Sequence, residues 1–265
     1  MAEPAQAANP RPKKKRPPPK RAEVIKVERI VPRLTRVTFG GGDMAAFSMP
    51  KPGAHIKLLF PEPGVTWSPA DTDAPRPPSR TYTPRRFDAD THELDVEVVH
   101  HGEGLAANWV RTAKPGDELF IGGPGGGLDI PDGTTHAVLL ADETAMPAAG
   151  MILEALPEDC EAVVFCEVAD ADDERPLSAV RGVSPTWLHR AETGAVQGSL
   201  LEHAAKTLGD MPETTLWWIA CEAGAMRRVR RHLMDGRGVE KAWMNTRGYW
   251  RLGETNYPDH DYGED

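Results

Sequence analysis

The stretch His136-Ala137-Val138-Leu139-Leu140-Ala141 divides the 265-residue chain into two parts of different character. It is a short, uninterrupted apolar run, as expected of a parallel strand that helices cover on both faces. After it, strands are predicted at 162–166, 185–189 and 215–221, and helices around Met151 and at 197–207 and 223–235. Because strands and helices alternate, residues 133–253 are predicted to form an open α/β sheet.

The region before that run, residues 23–132, is predicted to be nearly all β. Leu94 and Val96, for example, alternate with Asp95 and Glu97, which is the pattern of a half-buried strand. Strands are predicted at 23–31, 34–39, 55–60, 80–87, 93–100 and 117–122, and a short helix at 104–112. The fold class is therefore α+β with two domains: an antiparallel β-barrel, then an α/β parallel-sheet nucleotide-binding domain. We expect a cofactor in the cleft between them.

Both ends of the chain differ from this body. Residues 1–22 hold seven Lys or Arg and one acid, which leaves 24 basic and 39 acidic residues in the rest of the chain. This basic, Pro-rich leader is predicted to be disordered, with a membrane-surface or RNA contact through Lys13–Arg21 as the alternative. Residues 254–265 are predicted to be an acidic C-terminal tail.

Charge and hydropathy also limit the class of protein. The acidic body disfavours nucleic acid as a partner. No apolar run approaches the roughly 20 residues that span a bilayer, so no membrane span is expected. The N-terminus has no apolar secretory segment, which predicts a cytoplasmic location. We expect a monomer.

The three cysteines show no metal-binding pattern. Cys160 and Cys166 are six residues apart and Cys221 is distant, which matches neither a zinc site nor an iron–sulfur site. We interpret them as small buried apolar residues and expect no metal. An electron carrier in this protein is therefore expected to be organic.

The sharpest local motif is Arg80-Thr81-Tyr82-Thr83-Pro84-Arg85. On a strand, Arg80 and Tyr82 point to the same face. A flavin needs a cation for its pyrophosphate, an aromatic ring against the isoalloxazine, and a hydrogen-bond donor such as Thr83 near its reactive nitrogen. The alternative is an edge strand with a surface arginine and a half-buried tyrosine, and the motif alone leaves both readings open.

A second motif, His100-His101-Gly102-Glu103-Gly104-Leu105-Ala106-Ala107-Asn108-Trp109, passes from a strand into a helix. Small residues allow the backbone to approach a pyrophosphate, and a helix N-terminus supplies free amides. An ordinary strand–loop–helix connection is the alternative. Neighbouring histidines on a strand face opposite ways, so they do not predict a chelating pair.

A third motif, Ala141-Asp142-Glu143-Thr144-Ala145-Met146-Pro147, follows the first parallel strand. Open sheets bind ligands at the carboxyl ends of their strands. The dinucleotide fingerprint Gly-x-Gly-x-x-Gly is missing there, and the glycine run at 122–127 follows a barrel strand instead. A self-standing Rossmann dehydrogenase is therefore disfavoured.

Together these motifs resemble the siderophore-interacting proteins, the ferric-siderophore reductases of the ferredoxin-reductase superfamily. The resemblance extends in order from about residue 23 to 253. Its remaining motifs are Pro115-Gly-Asp117, Gly123-Pro-Gly125, Glu167-Val-Ala-Asp-Ala171, Trp187-Leu-His189, Cys221-Glu-Ala223 and Gly248-Tyr-Trp-Arg251. Three features depart from the family pattern: Ala141 and Cys221 stand where glycine is usual, and the basic leader 1–22 is extra.

The resemblance implies particular cofactor sites. FAD would be bound by Arg80, Tyr82, Thr83, His101, Gly104, Ala106, Ala107, Thr144 and Trp250. NADPH or NADH, as the electron donor, would contact Asp142, Glu143, Glu167, Ala169, Cys221 and Glu222. The acidic stretch Asp170–Glu174 suits a ribose 2′-hydroxyl, whereas Arg175 and the run Arg227–Arg231 suit a 2′-phosphate, which leaves the choice of nucleotide open.

The resemblance further implies that a ferric siderophore accepts the electrons and that iron(II) is released. Many such chelates are anionic, so a local basic patch is needed, for which Lys57, Arg85, Arg86 and Arg251 are the candidates. Two alternatives remain open: a reductase of the same superfamily whose acceptor is a ferredoxin, a flavodoxin or free flavin, and a non-catalytic iron-chelate binding protein.

Overall fold

The structure is a computed structural model that describes residues 17–49, 51–62, 64–71, 73–100, 104–177, 182–257 and 261–263. Its strands are β1 (Lys20–Val31), β2 (Leu34–Gly40), β3 (His55–Leu59), β4 (Ser79–Tyr82), β5 (Pro84–Asp88), β6 (Glu93–Val99), β7 (Glu118–Gly125), β8 (His136–Asp142), β9 (Glu161–Val168), β10 (Thr186–His189), β11 (Thr215–Glu222) and β12 (Met244–Trp250). Its α-helices are α1 (Leu105–Thr112), α2 (Met146–Ala155), α3 (Arg190–Thr193), α4 (Ser199–Thr207) and α5 (Ala223–Arg231).

The first seven strands form one antiparallel sheet in the order β4-β3-β7-β1-β2-β6-β5. Alternating apolar side chains such as Val37, Phe39, Ile56 and Leu94 fill its interior. In the described residues β4 and β5 are not paired with each other, so hydrogen bonds do not close the sheet into a ring. The predicted antiparallel β-barrel is thus a barrel-like sheet that hydrogen bonds among the described residues do not close.

The strand predicted at 80–87 is two strands. β4 pairs with β3 and β5 pairs with β6, and Thr83 alone separates them. The break coincides with Pro84, which has no N–H to donate to a continuing ladder with β3 and pairs instead with Val96 of β6. The chain therefore moves from one edge of the sheet to the other at Thr83, which gives the sheet its barrel-like curvature.

The second sheet is parallel, in the order β10-β9-β8-β11-β12. Leu139 and Trp218 pack on one face together with α2, whereas Leu140 and Trp217 pack on the other face near α4 and α5. This two-sided burial is what the uninterrupted apolar runs predicted. No helix in the described part of the chain is long and apolar enough to cross a membrane.

The two chain ends differ in part from expectation. β1 begins at Lys20 and pairs with β7 from that residue on, so residues 20–22 of the predicted disordered leader belong to a strand. The rest of the predicted disordered leader lies mostly outside the described residues. The predicted domain boundary at 132/133 falls in the connection between β7 and β8.

Ion pairs, one of them buried, join the two sheets. The Glu97 carboxylate of β6 binds Arg175 of the α/β half at 2.6 Å and Arg36 of β2 at 2.8 Å. The side chains of Glu97 and Arg175 are 0% and 6% exposed. Nearby, Arg33 binds Asp170 and Asp173, 2.8 and 2.7 Å away. The segment after β9 is thus held against the antiparallel sheet by charge.

We expect Arg175→Met to lower the free energy of unfolding by about 3–5 kcal/mol, because it deprives a buried carboxylate of a charged partner. Urea unfolding measures the loss. The matched control is Lys114→Met, which breaks an ion pair to Asp117 whose lysine is 74% exposed and should cost less than about 1 kcal/mol. Equal losses in the two variants would show that the buried pair has no special role.

Candidate functional site

A cavity of about 320 Å³ lies between the antiparallel sheet and the α/β half. On one side it is lined by β4 with Thr83, and by Gly104 and the first turn of α1. On the other side it is lined by Thr144, Pro147, the end of β12 from Arg247 to Trp250, and residues 254–257. The three sequence motifs therefore meet at one place, although they come from distant parts of the chain.

Arg80 and Tyr82 both line this cavity, as does Thr81 between them. The Tyr82 ring packs partly against the interior of the antiparallel sheet, and burial raises the pKa of its hydroxyl, which keeps the phenol neutral. Within the described residues, the Arg80 guanidinium has one hydrogen bond, to the Ser79 carbonyl oxygen at 2.9 Å. Its remaining donors can therefore serve an anionic group in the cavity.

Thr83 is buried and lines the cavity between β4 and β5. Its side chain forms a hydrogen bond with the Tyr249 hydroxyl of β12, and burial raises the pKa of Tyr249. The Thr83 hydroxyl is thus held by a residue of the other domain. This contact fixes a hydrogen-bonding group at the junction of the two halves.

The start of α1 forms the small-residue wall of the cavity. Gly104 is the N-cap in an extended conformation, and a Cβ atom there would meet nothing within 4 Å. Ala106 and Ala107 are buried and line the cavity. Because their side chains are single methyl groups, a ligand can come close to their backbone. The amides of a helix's first turn have no partner within the helix and suit a phosphate. His101 lies outside the described residues.

Asp142 ends β8 and holds two cavity-lining residues in place. Its carboxylate accepts hydrogen bonds from the Trp250 indole N–H at 2.8 Å and from the Thr144 hydroxyl at 2.6 Å. Burial, and then the negative charge of Glu143, raise the pKa of Asp142 to about 7, despite these hydrogen bonds. Asp142 does not line the cavity itself but positions two residues of its wall, and its predicted contact with a nucleotide stays a prediction.

The Asp142 pKa predicts a pH dependence of stability. The unfolded carboxyl loses its proton near its ordinary pKa of 3.8 and the folded one near 7, so the folded state binds more protons in between. We expect the stability of the wild type, relative to Asp142→Asn, to be highest near pH 4 and to fall as the pH rises to about 8. Urea unfolding of both proteins across this range measures the difference, and a constant difference contradicts the shift.

Two other predicted nucleotide ligands cap helices. The fully buried Glu167 accepts hydrogen bonds from the N–H groups of Gly198 (2.6 Å) and Leu200 (3.1 Å) at the start of α4. Glu222 accepts one from the Ala225 N–H of α5 at 2.8 Å. These carboxylates use the helix-terminal amides that a nucleotide phosphate would otherwise take.

The remaining predicted nucleotide ligands also have partners within the chain. Glu143 binds Arg190 at 2.6 Å, and the Ala169 carbonyl oxygen accepts the Ala191 N–H at 2.9 Å. Cys221 is fully buried, and burial raises the pKa of its thiol well above its ordinary value. None of these three residues lines the cavity.

The charged stretches that were considered for nucleotide choice form ion pairs. Asp170 and Asp173 bind Arg33, as described above, and Glu174 binds His189 at 2.8 Å. In the arginine run, Arg227 binds Asp261 at 2.9 Å and Arg228 binds Glu202 at 2.6 Å. These five residues of the two expected sets therefore have partners within the chain, and neither set decides between NADH and NADPH.

Two family models match the chain, in the order of its two sheets. A siderophore-interacting FAD-binding domain matches residues 23–128, and a siderophore-interacting protein model matches residues 134–253. The chain belongs to the siderophore-interacting protein family. The motif resemblance is thereby confirmed, and the antiparallel half is the family's FAD-binding domain.

Several named relatives of the chain are ferric reductases. The NADPH-dependent ferric-chelate reductase of Escherichia coli is 36% identical over 184 residues, which cover 64% of this chain and 70% of that protein. The ferric vibriobactin reductase of Vibrio cholerae is 27% identical over 254 residues, which cover 92% of this chain and 93% of that protein.

Solved structures agree with the fold. A siderophore utilization protein from T. fusca has a TM-score of 0.80 and 39% identity, with 93% of this chain and 98% of that chain covered. The ferredoxin-NADP+ reductase of Plasmodium falciparum has a TM-score of 0.60 at 12% identity, with 85% and 94% covered. This second likeness shows the ferredoxin-reductase-like fold alone.

The family's FAD fits the cavity described above. Gly104 leaves open space beside the α1 amides, Arg80 offers unused donors, and the Tyr82 ring stands on the same face. Apart from the undescribed His101, every predicted FAD ligand lines the cavity: Arg80, Tyr82, Thr83, Gly104, Ala106, Ala107, Thr144 and Trp250. Among the described residues, no group of three or more His, Cys, Asp or Glu is arranged to hold a metal ion.

The four predicted substrate cations lie in different surroundings. Lys57 hydrogen-bonds the cavity-lining Thr81 at 3.1 Å, and Arg251 pairs with the cavity-lining Glu254 at 3.3 Å. Arg85 binds Glu154 at 2.8 Å and is largely buried between the domains, whereas Arg86 is exposed beside Asp95. Lys57 and Arg251 therefore lie close to the cavity, whereas Arg85 forms an ion pair that holds the two domains together.

Sequence reasoning missed several lining residues. Arg247 lies two residues before Tyr249 on β12, so strand alternation from the Gly248-Tyr249-Trp250 motif was a signal for it. His55 and Glu97 also line the cavity, but only the folding of the sheet brings them there. Residues 254–257 carry no periodic pattern that indicates a binding role.

Proposed function

We propose that this protein is a flavin-dependent reductase that transfers electrons from NADPH through FAD to ferric siderophores and releases iron(II). The family membership and the ferric reductases among its named relatives make the chain an oxidoreductase. The observation that carries the finer proposal is the cavity, in which Arg80, Tyr82 and Thr83 face the small-residue start of α1. We place FAD there.

The chain's own residues prepare this site for FAD. Arg80 and the α1 amides neutralise the pyrophosphate, and Tyr82 supplies an aromatic face. Tyr249 holds the Thr83 hydroxyl, and Asp142 holds the Trp250 indole, so neither polar group has to be ordered when the cofactor binds. FAD, when bound, accepts a hydride and releases electrons singly, which suits a one-electron ferric acceptor.

The acceptor follows from the chemistry of iron. Oxygen chelators hold hard iron(III) far better than iron(II), so reduction by one electron weakens the complex and frees the metal. Arg247 lines the cavity, and Lys57 and Arg251 adjoin it, which gives an anionic chelate a positive surface on an otherwise acidic protein. We assign Lys57 and Arg251 to that surface.

NADPH is the proposed donor because the Escherichia coli relative is NADPH-dependent. The carboxyl ends of β8 and β11 lie at the cavity's α/β side, where open sheets bind nucleotides. An absorbance spectrum of the purified protein, followed by anaerobic addition of each nucleotide, tests the proposal. We expect flavin bands that NADPH bleaches faster than NADH does, and protein that stays colourless after FAD addition would overturn the assignment.

The place of FAD is tested by Arg80→Ala. We expect the variant to bind FAD at least about tenfold more weakly, because a charge-assisted contact is worth about 1.5–3 kcal/mol. Titration of the apoprotein with FAD, followed by flavin fluorescence, measures the affinity. The control Arg76→Ala removes an exposed arginine that does not line the cavity, and its affinity should match the wild type.

The acceptor surface is tested by the double variant Lys57→Ala/Arg251→Ala. We expect its KM for an anionic ferric chelate to rise about tenfold, which is about 1.4 kcal/mol, because two nearby positive charges are lost. Its FAD content and its rate of flavin reduction by NADPH should not change. The control Arg86→Ala removes an exposed cation that does not line the cavity. An unchanged KM in the double variant argues for another acceptor.

A further inference from the structure

The chain continues past β12 into a polar segment that returns along the cavity. We define the C-terminal strap as the described residues 254–257 and 261–263. All four residues of its first part line the cavity. Asn256 adopts a left-handed backbone conformation with φ of 58°, which asparagine tolerates better than most residues. The strap lies beyond residue 253, where the family-model match ends.

The second part of the strap is anchored by Asp261. Its carboxylate, whose side chain is 8% exposed, binds Arg227 of α5 at 2.9 Å and accepts a hydrogen bond from the Tyr257 hydroxyl at 2.6 Å. Its carbonyl oxygen accepts the Gly248 N–H of β12 at 2.9 Å. One residue thus connects a helix, a strand and a cavity-lining tyrosine.

Two neighbours extend this anchor. The Arg247 guanidinium lies 4.5 Å from the centre of the Tyr262 ring, and the Thr246 hydroxyl donates to the Tyr262 carbonyl oxygen at 2.5 Å. Gly263 is packed so closely on α5 that a Cβ atom there would lie 2.8 Å from Met226 Sδ. Because Arg247 lines the cavity, the strap also positions a cavity cation.

We propose that the C-terminal strap is a wall of the FAD site that retains the cofactor, and that Asp261 is the residue that latches it. The inference rests on the proposed placement of FAD in the cavity, but it does not depend on the acceptor. Tyr257 connects Asp261 to the cavity, because its hydroxyl donates a hydrogen bond to the Asp261 carboxylate and the residue itself lines the cavity. Loss of the latch frees that wall and lets FAD leave faster.

The test measures FAD release from the holoprotein after dilution, followed by the return of flavin fluorescence. We expect Asp261→Asn and Tyr257→Phe each to release FAD about tenfold faster, since each weakens a hydrogen bond to a charged group. The double variant should release it no faster than the quicker single variant, because both act through one contact. The charge-matched control, Asp210→Asn, changes an exposed residue in the loop before β11 and should release FAD at the wild-type rate.

Hydrogen exchange at the Gly248 amide, which bonds Asp261, reports the state of the strap independently of the flavin. We expect Asp261→Asn to exchange this amide faster. Faster exchange with an unchanged FAD release rate overturns the proposal, and so does no change in either. Tighter binding of NADP+ with unchanged FAD release also overturns it, because the strap would then compete with the donor.

The Arg80→Ala variant distinguishes failure of the strap proposal from failure of the proposed placement of FAD in the cavity. If FAD affinity is unchanged in Arg80→Ala, FAD does not occupy this cavity and both proposals fail. If Arg80→Ala weakens FAD binding but the strap variants do not alter release, the cavity assignment stands and the strap proposal alone is overturned.

Discussion

The arrangement of the two halves depends on a buried carboxylate. Glu97 has no contact with solvent through its side chain and is neutralised by Arg36 from its own sheet and Arg175 from the other half. A buried charge is stable only while its partners stay in place. Any shift of the α/β half away from β6 would remove Arg175 from the Glu97 carboxylate and leave that charge less well paired in the protein interior. Since Glu97 also lines the cavity, the same ion pair that orients the halves sets the shape of the site between them.

A second set of contacts positions the wall of the cavity. In one of them a carboxyl group is buried beside another negative charge. Thr83 and Trp250 are each held from behind, by Tyr249 and Asp142. Asp142 performs this role at a cost, because burial beside Glu143 raises its pKa to about 7. The carboxylate form is the better acceptor for the indole N–H, so the order of this wall is coupled to pH near neutrality. Perturbed groups of this kind concentrate at functional sites.

The sequence predicted what depends on local patterning and missed what depends on tertiary contact. Apolar runs such as 136–141 predicted the parallel sheet, because two-sided burial leaves no polar alternation to read. No local pattern indicated that Glu167 caps α4, since this contact depends on the packing of Gly198 against the end of β9 and against α5; a side chain at Gly198 would overlap Ala225. Arg85 is similar: its partner, Glu154, is distant in sequence and reaches it only through the packing of α2. The strap has neither apolar periodicity nor a motif, so no pattern indicated that it returns to the cavity.

Ala141 and Cys221 stand where the family pattern has glycine, and the structure shows whether a side chain fits at each position. Glycine is indispensable where the backbone is left-handed or where another group comes too close for a Cβ atom. Ala141 and Cys221 meet neither condition, because both lie within strands, β8 and β11, and neither has a left-handed backbone conformation. Their side chains are fully buried, Ala141 in the cluster around α2 and Cys221 in the cluster around α4 and α5, and neither lines the cavity. The side-chain atoms of Ala141 and Cys221 therefore occupy the core between the sheet and its helices. They do not change the space beside Trp250 and Thr144.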